Sequence, residues 1–273
     1  MGSLYVIATP IGNLDDISIR AVNVLKSVQL IAAEDTRITR RLLSHYKIDT
    51  KLISYHEHSK LSKSLKLIDL LRNNDLALVC DSGTPGISDP GRELVRMSRE
   101  EGVDVIPVPG PSSVLAGISV SGLNTDRFMF VGFLPRKSSE RIKLFKKTLP
   151  EHTALVFLES PRRLHASLID LKNSLGDRKL TVCREMTKIY EEIFVGNADT
   201  ALAHFKDPRG EFTVIVDGGI EDRPSKLIED NARKMLLQLA AMGVSGRDSV
   251  EFVVTQTGMA KRKVYQMWQD DTM

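Results

Sequence analysis

The sequence predicts an α/β protein with two α/β domains and a small C-terminal helical unit. Short β-branched runs alternate with longer segments of helical period, the pattern of sheets with mainly parallel pairing. Turn-forming residues Gly122-Leu123-Asn124-Thr125-Asp126 separate two such sets, and after Asp217-Gly218-Gly219 the alternation stops. The 273 residues are enough for about two domains at roughly 150 residues each. The expected boundaries are 1–122, 123–220 and 221–273.

In the first set, strands are predicted at 4–8, 30–33, 76–80 and 103–107. Helices are predicted at 18–28, 61–71, 92–101 and 112–120; in the first of these Ile19, Val22, Leu25 and Val28 recur every third residue. The second set has strands at 128–131, 154–158, 180–183 and 212–216, with helices at 137–149 and 162–175. Glu221-Asp222-Arg223-Pro224 reads as a second linker. Beyond it, helices are predicted at 232–242, 249–257 and 261–268, with a short strand-like run at 252–254 and a turn and cap at Ser245-Gly246-Arg247-Asp248.

Composition narrows the class. Lys and Arg exceed Asp and Glu by 38 to 35, a mild basicity that permits a nucleic-acid partner without demanding one. Two cysteines, Cys80 and Cys183, argue against a disulfide scaffold and fit a reducing cytoplasm. No run approaches the ~18 consecutive apolar residues of a membrane span. The start of the chain enters a strand-like run without a basic region, so no signal peptide is expected.

Several chemistries lack their motif. No G-x-G-x-x-G follows a strand, and no G-x-x-x-x-G-K-[ST] is present. Gly117-Ile118-Ser119-Val120-Ser121 misses the nucleophile elbow at its last position. His56-Glu57-His58 is too closely spaced for the two-histidine zinc helix and reads as a solvated loop, so no metal is expected.

The positive signals are loops at strand ends. Ala8-Thr9-Pro10-Ile11-Gly12-Asn13-Leu14 follows the first strand and reads either as a plain turn or as backbone shaped to approach a ligand. The loop at 81–91, DSGTPGISDPG, holds three glycines and two prolines, more special backbone positions than a connector needs. Val108-Pro109-Gly110-Pro111-Ser112-Ser113 offers serines as helix caps or, in a cleft, donors for a ligand. In a parallel sheet all three loops line one edge, where α/β proteins bind ligands. In the second set Glu159, Arg184 and Glu185 stand at strand ends, which favours a cleft between two domains. Basic residues gather at Arg136, Lys137, Arg141, Lys143, Lys146 and Lys147, at Arg37, Arg40 and Arg41, and at Lys261-Arg262-Lys263. Solvated helix faces and phosphate contacts account for them equally well.

These segments, in this order, resemble the tetrapyrrole methylase superfamily, the class III S-adenosylmethionine-dependent methyltransferases. The resemblance is carried by LYVIATPIGNLDD at 4–16, AAEDTR at 32–37, DSGTPGISDPG at 81–91, PVPGPSS at 107–113, FVGFLP at 130–135, FLESPRRL at 157–164, REMTK at 184–188 and GEFTVIVDG at 210–218. It implies two α/β domains with the methyl donor, S-adenosylmethionine, in the cleft between them, and a homodimer. It further implies 2′-O-methylation of a cytidine ribose in the decoding region of small-subunit ribosomal RNA, with the RNA or the 30S subunit as partner. Two positions depart from the pattern: Arg162 replaces a usual His, removing one candidate base, and Ser113 replaces a common Ala.

The donor-binding residues implied by matching the superfamily's motifs are Pro10, Thr84, Ile87, Ser112, Ser113, Leu158, Met186 and Thr213. Transfer to a hydroxyl needs near-attack alignment and loss of a proton. Glu34, Asp35, Glu159 and Glu185 are base candidates, while Arg37, Arg163 and Lys188 are candidates for stabilising negative charge or holding flanking phosphates. Two rival readings are a tetrapyrrole or other small-molecule methylase and a non-catalytic RNA-binding module. The basic segment at 137–147 and the appended tail favour RNA over a corrin-like ring, and the Gly/Pro-rich loops exceed what a phosphate binder requires.

Overall fold

Through its first four fifths the chain alternates strand and helix. It runs β1 (Ser3–Ile7), α1 (Ile19–Ser27), β2 (Leu30–Ala33), α2 (Thr36–His45), β3 (Leu52–Ser54), α3 (Leu61–Leu71), β4 (Leu76–Val79), α4 (Arg92–Glu100), β5 (Asp104–Val108) and α5 (Ser113–Ser121). A second series follows: β6 (Phe128–Phe133), α6 (Ser138–Thr148), β7 (Ala154–Glu159), α7 (Pro161–Leu175), β8 (Leu180–Arg184), β9 (Glu192–Gly196), α8 (Ala198–His204) and β10 (Phe212–Val216). The computed structural model describes residues 1–56, 61–148, 153–218 and 222–272, with backbone alone at 147–148, 222–228 and 272. Both sheets belong to one unit, Met1–Gly218, and Gly219–Met273 is a second.

The first sheet has the order β3-β2-β4-β1-β5 and is parallel throughout. Parallel pairing needs crossovers, and the helices they supply cover both faces, so every residue of β4 is buried. Leu4, Leu76 and Leu78 pack on Leu67, Leu71 and Leu94 from α3 and α4. On the other face Ile7, Ala77 and Val79 meet Ala21 and Leu25 of α1 and Leu42 and Leu43 of α2. Ser18 caps α1 by accepting from the Ala21 amide.

The second sheet corrects the expectation of mainly parallel pairing. Its order is β6-β7-β10-β8-β9, and only β6 and β7 run parallel. The β8–β9 link contains no helix to carry the chain back, so β9 returns antiparallel. β10 runs antiparallel to both β7 and β8. Its first residue, Phe212, therefore lies beside the last residues of those strands, Glu159 and Arg184.

Four elements escape prediction. α2 buries only Thr39, Leu42 and Leu43, and its arginines hide the helical period. β3 has three residues, β9 is a half-exposed edge strand, and α8 is two turns held by an Asn197–Thr200 capping box.

The helix after β5 does not fold back onto the first sheet. α5 packs its Val114 with Val156, Cys183 and Ile215 of the second. Gly117 makes this possible, because a Cβ there would sit 3.0 Å from Ile215 Cδ1.

The C-terminal unit comprises α9 (Asp222–Ala241), α10 (Gly246–Thr257) and α11 (Lys261–Thr272). Ala232, Leu236, Val250, Val253, Val264 and Met267 form its core. The expected linker is instead helical from Asp222, with Glu221 outside the described residues. The strand-like run at 252–254 lies within α10, where Val250 and Val253 are spaced to share its buried face. Ser245 caps α10 by accepting from the Asp248 amide.

Candidate active site

Three loops leaving the C-terminal ends of β1, β4 and β5 meet the β7, β8 and β10 ends of the second sheet around a cleft of about 390 Å³. The loops are locked to each other by backbone. Thr9 and Gly83 exchange hydrogen bonds of 2.8 and 3.0 Å, and the Thr9 hydroxyl donates to the Cys80 carbonyl. Gly83 adopts φ +77°, a conformation that favours glycine. Gly12 lies beneath the loop after β8, where a Cβ would approach Lys188 Cγ to 2.5 Å. The Asn13 amide donates to Thr187 Oγ1 at 3.0 Å.

Of the proposed donor-site residues, Thr84, Ile87, Ser112, Ser113, Leu158, Met186 and Thr213 all line this cleft. Ser112 also caps α5, accepting from the Leu115 amide. Ile87 stands 53% exposed, a large apolar side chain held open in the cleft wall. Pro10 is buried and does not line the cleft; its neighbour Ile11 does.

The candidate catalytic charges are placed differently. Glu159 lines the cleft, yet its carboxylate is buried and engaged on both oxygens. Oε1 accepts from the Ser160 amide at 2.8 Å; Oε2 accepts from Ser167 at 2.6 Å and from Arg163 Nη2 at 3.1 Å. Arg163 also donates to the Leu134 and Pro135 carbonyls, tying the end of β6 to the start of α7. Lys188 bridges Glu185 and Glu211, at 2.9 Å to each. Burial works against the Glu185 carboxylate, but hydrogen bonds from Lys188 and the Glu211 amide hold it below the usual carboxylate range. Of this trio only Glu211 lines the cleft.

Glu34, Asp35 and Arg37 stand at the β2–α2 junction, outside the cleft wall. Asp35 caps α2 and pairs with Arg37 at 2.6 Å, and that hydrogen bond lowers its carboxyl to about 2. The Asp81 amide approaches Glu34 Oε2 at 3.5 Å, and the Asp35 amide donates to Asp81.

Sequence reasoning passed over Asp89. It lines the cleft, and burial together with the negative charge of Glu34 raises its carboxyl to about 6 despite a hydrogen bond with Cys80. The signal was its position in the Gly/Pro-rich loop, but a shift produced by burial and by a residue on another strand end has no local trace. Phe130 and Phe133 add an aromatic wall from β6.

One basic group shrinks. Arg141 is buried in a 2.6 Å ion pair with Asp170, which also accepts from Ser138, so it faces no partner outside the fold. Lys143 and Lys146 remain exposed on α6; the Lys147 side chain lies outside the described residues, as do Glu57 and His58. Among the described residues no group of three or more His, Cys, Asp or Glu is placed to hold a metal ion, and no helix is long and apolar enough to cross a membrane.

The pattern of the tetrapyrrole (corrin/porphyrin) methylases matches residues 3–202. The chain belongs to this family of S-adenosylmethionine-dependent methyltransferases. Proteins named ribosomal RNA small subunit methyltransferase I match it nearly end to end. That of Synechocystis is 44% identical, covering 98% of this chain and 97% of its own; that of Halalkalibacterium halodurans is 41% identical, covering 99% and 96%. Among solved structures, a uroporphyrin-III-C-methyltransferase from Thermus thermophilus superposes with a TM-score of 0.58 at 17% identity, covering 80% of this chain and 95% of that one. At that identity the likeness shows the fold alone.

The cleft suits the donor. It offers hydroxyls from Thr84, Ser112, Ser113 and Thr213, apolar surface from Ile11, Ile87, Leu158 and Met186, and the carboxyl of Asp89 as counter-charge to a cationic group. Its volume lies within the range of small-ligand pockets, roughly 300–1,000 Å³.

Proposed function

We propose that this protein methylates the 2′-oxygen of a cytidine ribose in the decoding region of small-subunit ribosomal RNA. It would take the RNA or the 30S subunit as substrate and S-adenosylmethionine as donor, acting as a homodimer in the cytoplasm. The observation that carries this reading is the convergence of seven of the eight motif-matched donor residues on one cleft, in a chain whose full-length relatives bear the name of a small-subunit rRNA methyltransferase.

S-adenosylmethionine supplies an activated methyl on a sulfonium. Transfer forms a carbon–oxygen bond at the ribose and returns the broken carbon–sulfur pair to sulfur, so the hydroxyl proton must leave. Thr84, Ile87, Ser112, Ser113, Leu158, Met186 and Thr213 hold the donor in this reading, and Pro10 stiffens the loop behind them. Asp89 is the acid–base candidate, because its carboxyl lies in the cleft wall and titrates near neutrality. Glu159 with Arg163, and Glu185 with Lys188, position the walls, while Glu34 tunes Asp89 and the Asp35–Arg37 pair closes the start of α2.

The test has two arms. Calorimetry without added metal should show donor binding, and labelled methyl should pass to isolated small subunits and map to one ribose 2′-oxygen. Absence of donor binding overturns the enzyme reading. Methylation of a tetrapyrrole in place of the subunits transfers the protein to the small-molecule branch.

A further inference from the structure

Beside the cleft lies a second, cationic groove. Arg162 and His165 of α7 form one bank, and Lys206, Asp207 and Arg209 of the turn before β10 form the other. Pro161 lines both groove and cleft, and Gly210 of the groove precedes Glu211 of the cleft wall. The groove therefore begins where the cleft wall ends.

The two hollows differ in charge. The cleft wall carries the carboxyls of Asp89, Glu159 and Glu211. In the groove Asp207 is the single acid, and it is occupied by Arg209 at 2.7 Å. Arg162 and Lys206 are exposed and make no side-chain hydrogen bond or ion pair among the described residues. A ribose within a chain carries phosphates on its 3′ and 5′ oxygens. Among the described residues the cleft wall offers those phosphates no Lys or Arg, since its Glu159 and Glu211 are paired with Arg163 and Lys188 behind it, and a cationic surface at its lip receives them.

We propose that Arg162 and Lys206 form a phosphate subsite for the RNA backbone next to the methylated nucleoside. This rests on the reading of the cleft as an RNA-methylating site. The subsite binds the strand's charge without reading its bases, and it places the target sugar at the lip of the cleft.

The test compares the full-length protein with the double variant Arg162→Ala/Lys206→Ala, using isolated small subunits. The variant should show a higher KM for subunits with kcat and donor affinity unchanged. The log–log salt dependence of subunit affinity should become shallower by about 1.4, from ~0.7 for each single-strand phosphate contact. Arg162→Lys/Lys206→Arg should restore the slope. A control pair on α6, Lys143→Ala/Lys146→Ala, should change it less. An unchanged slope, an equal loss in the control, or a fall in donor affinity overturns the subsite, the last assigning the groove to the donor. If the unaltered protein transfers no methyl to subunits, the functional reading fails and takes the subsite with it. Normal transfer with an unchanged slope refutes the subsite alone.

Discussion

On the first sheet's side the cleft is formed by loops held in place through their backbone. The Thr9–Gly83 bridge, the left-handed glycine and the cap at Ser112 set its shape, and Asp89 is the one charged lining residue there. On the second sheet's side Phe130, Phe133, Leu158 and Met186 line the wall, and its two lining carboxylates are tied from behind: Glu159 to Arg163 and Ser167, and Glu211 to Lys188, which also holds Glu185. The contrast separates two uses of a carboxylate. Glu159 has both oxygens engaged by donors of the fold. Asp89 is destabilised in its charged form and so remains chemically available.

The largest effect should come from cutting the side-chain wall. Glu159→Ala leaves Ser167 without its acceptor and Arg163 without its counter-charge, with only the Leu134 and Pro135 carbonyls to receive it, and should cost about 3 kcal/mol, read from the urea midpoint. A loss below about 1 kcal/mol would deny Glu159 its bracing role.

Glycine substitutions compare the two walls directly. At Gly210, φ +85°, a Cβ would fall 2.3 Å from Glu185 Cγ, whereas at Gly83, φ +77°, its nearest neighbour is Ile11 Cγ2 at 3.7 Å. Gly210→Ala should cost about 2 kcal/mol, from strain plus displacement of Glu185. Gly83→Ala carries the left-handed penalty alone, about 1 kcal/mol. Equal thermal shifts would erase the distinction.

Asp89→Asn should stabilise the protein at pH 8 by roughly 1 kcal/mol, a figure reduced for solvent screening. The folded carboxyl titrates near 6, above its ordinary 3.8, so the native state favours the protonated form. That preference stabilises the natural protein below pH 3.8 and is lost as pH rises through 6. Asn cannot ionise, so its advantage should appear across that window and vanish in acid. A pH-independent difference would contradict the buried-charge assignment. The smallest effect belongs to the exposed Arg37–Asp35 pair: Arg37→Ala should leave the melting temperature unchanged.

Much of the architecture was readable in local pattern. The run at 76–80 is apolar at consecutive positions because its strand is covered on both faces. The third-residue spacing located α1 but not its buried face, because Ile19 is 81% exposed and Ala21 and Leu25 turn to the core instead. The Gly/Pro-rich loops announced the cleft because sharp backbone turns draw on few residue types. α2 was lost because its arginines mask three buried positions. Arg141, read as part of a basic surface, turned inward because Asp170 waits on the next helix.

By itself the sequence determined the strand–helix alternation, the loops at the strand ends and the helical tail, since periodicity and turn chemistry are properties of neighbouring residues. Tertiary structure alone decided that β10 runs against its neighbours, that Glu159 bonds to Arg163 and Ser167, and that burial, together with Glu34, raises Asp89. Those outcomes depend on which groups share a small, poorly solvated space once the sheets close, and electrostatic interaction follows that distance rather than position along the chain.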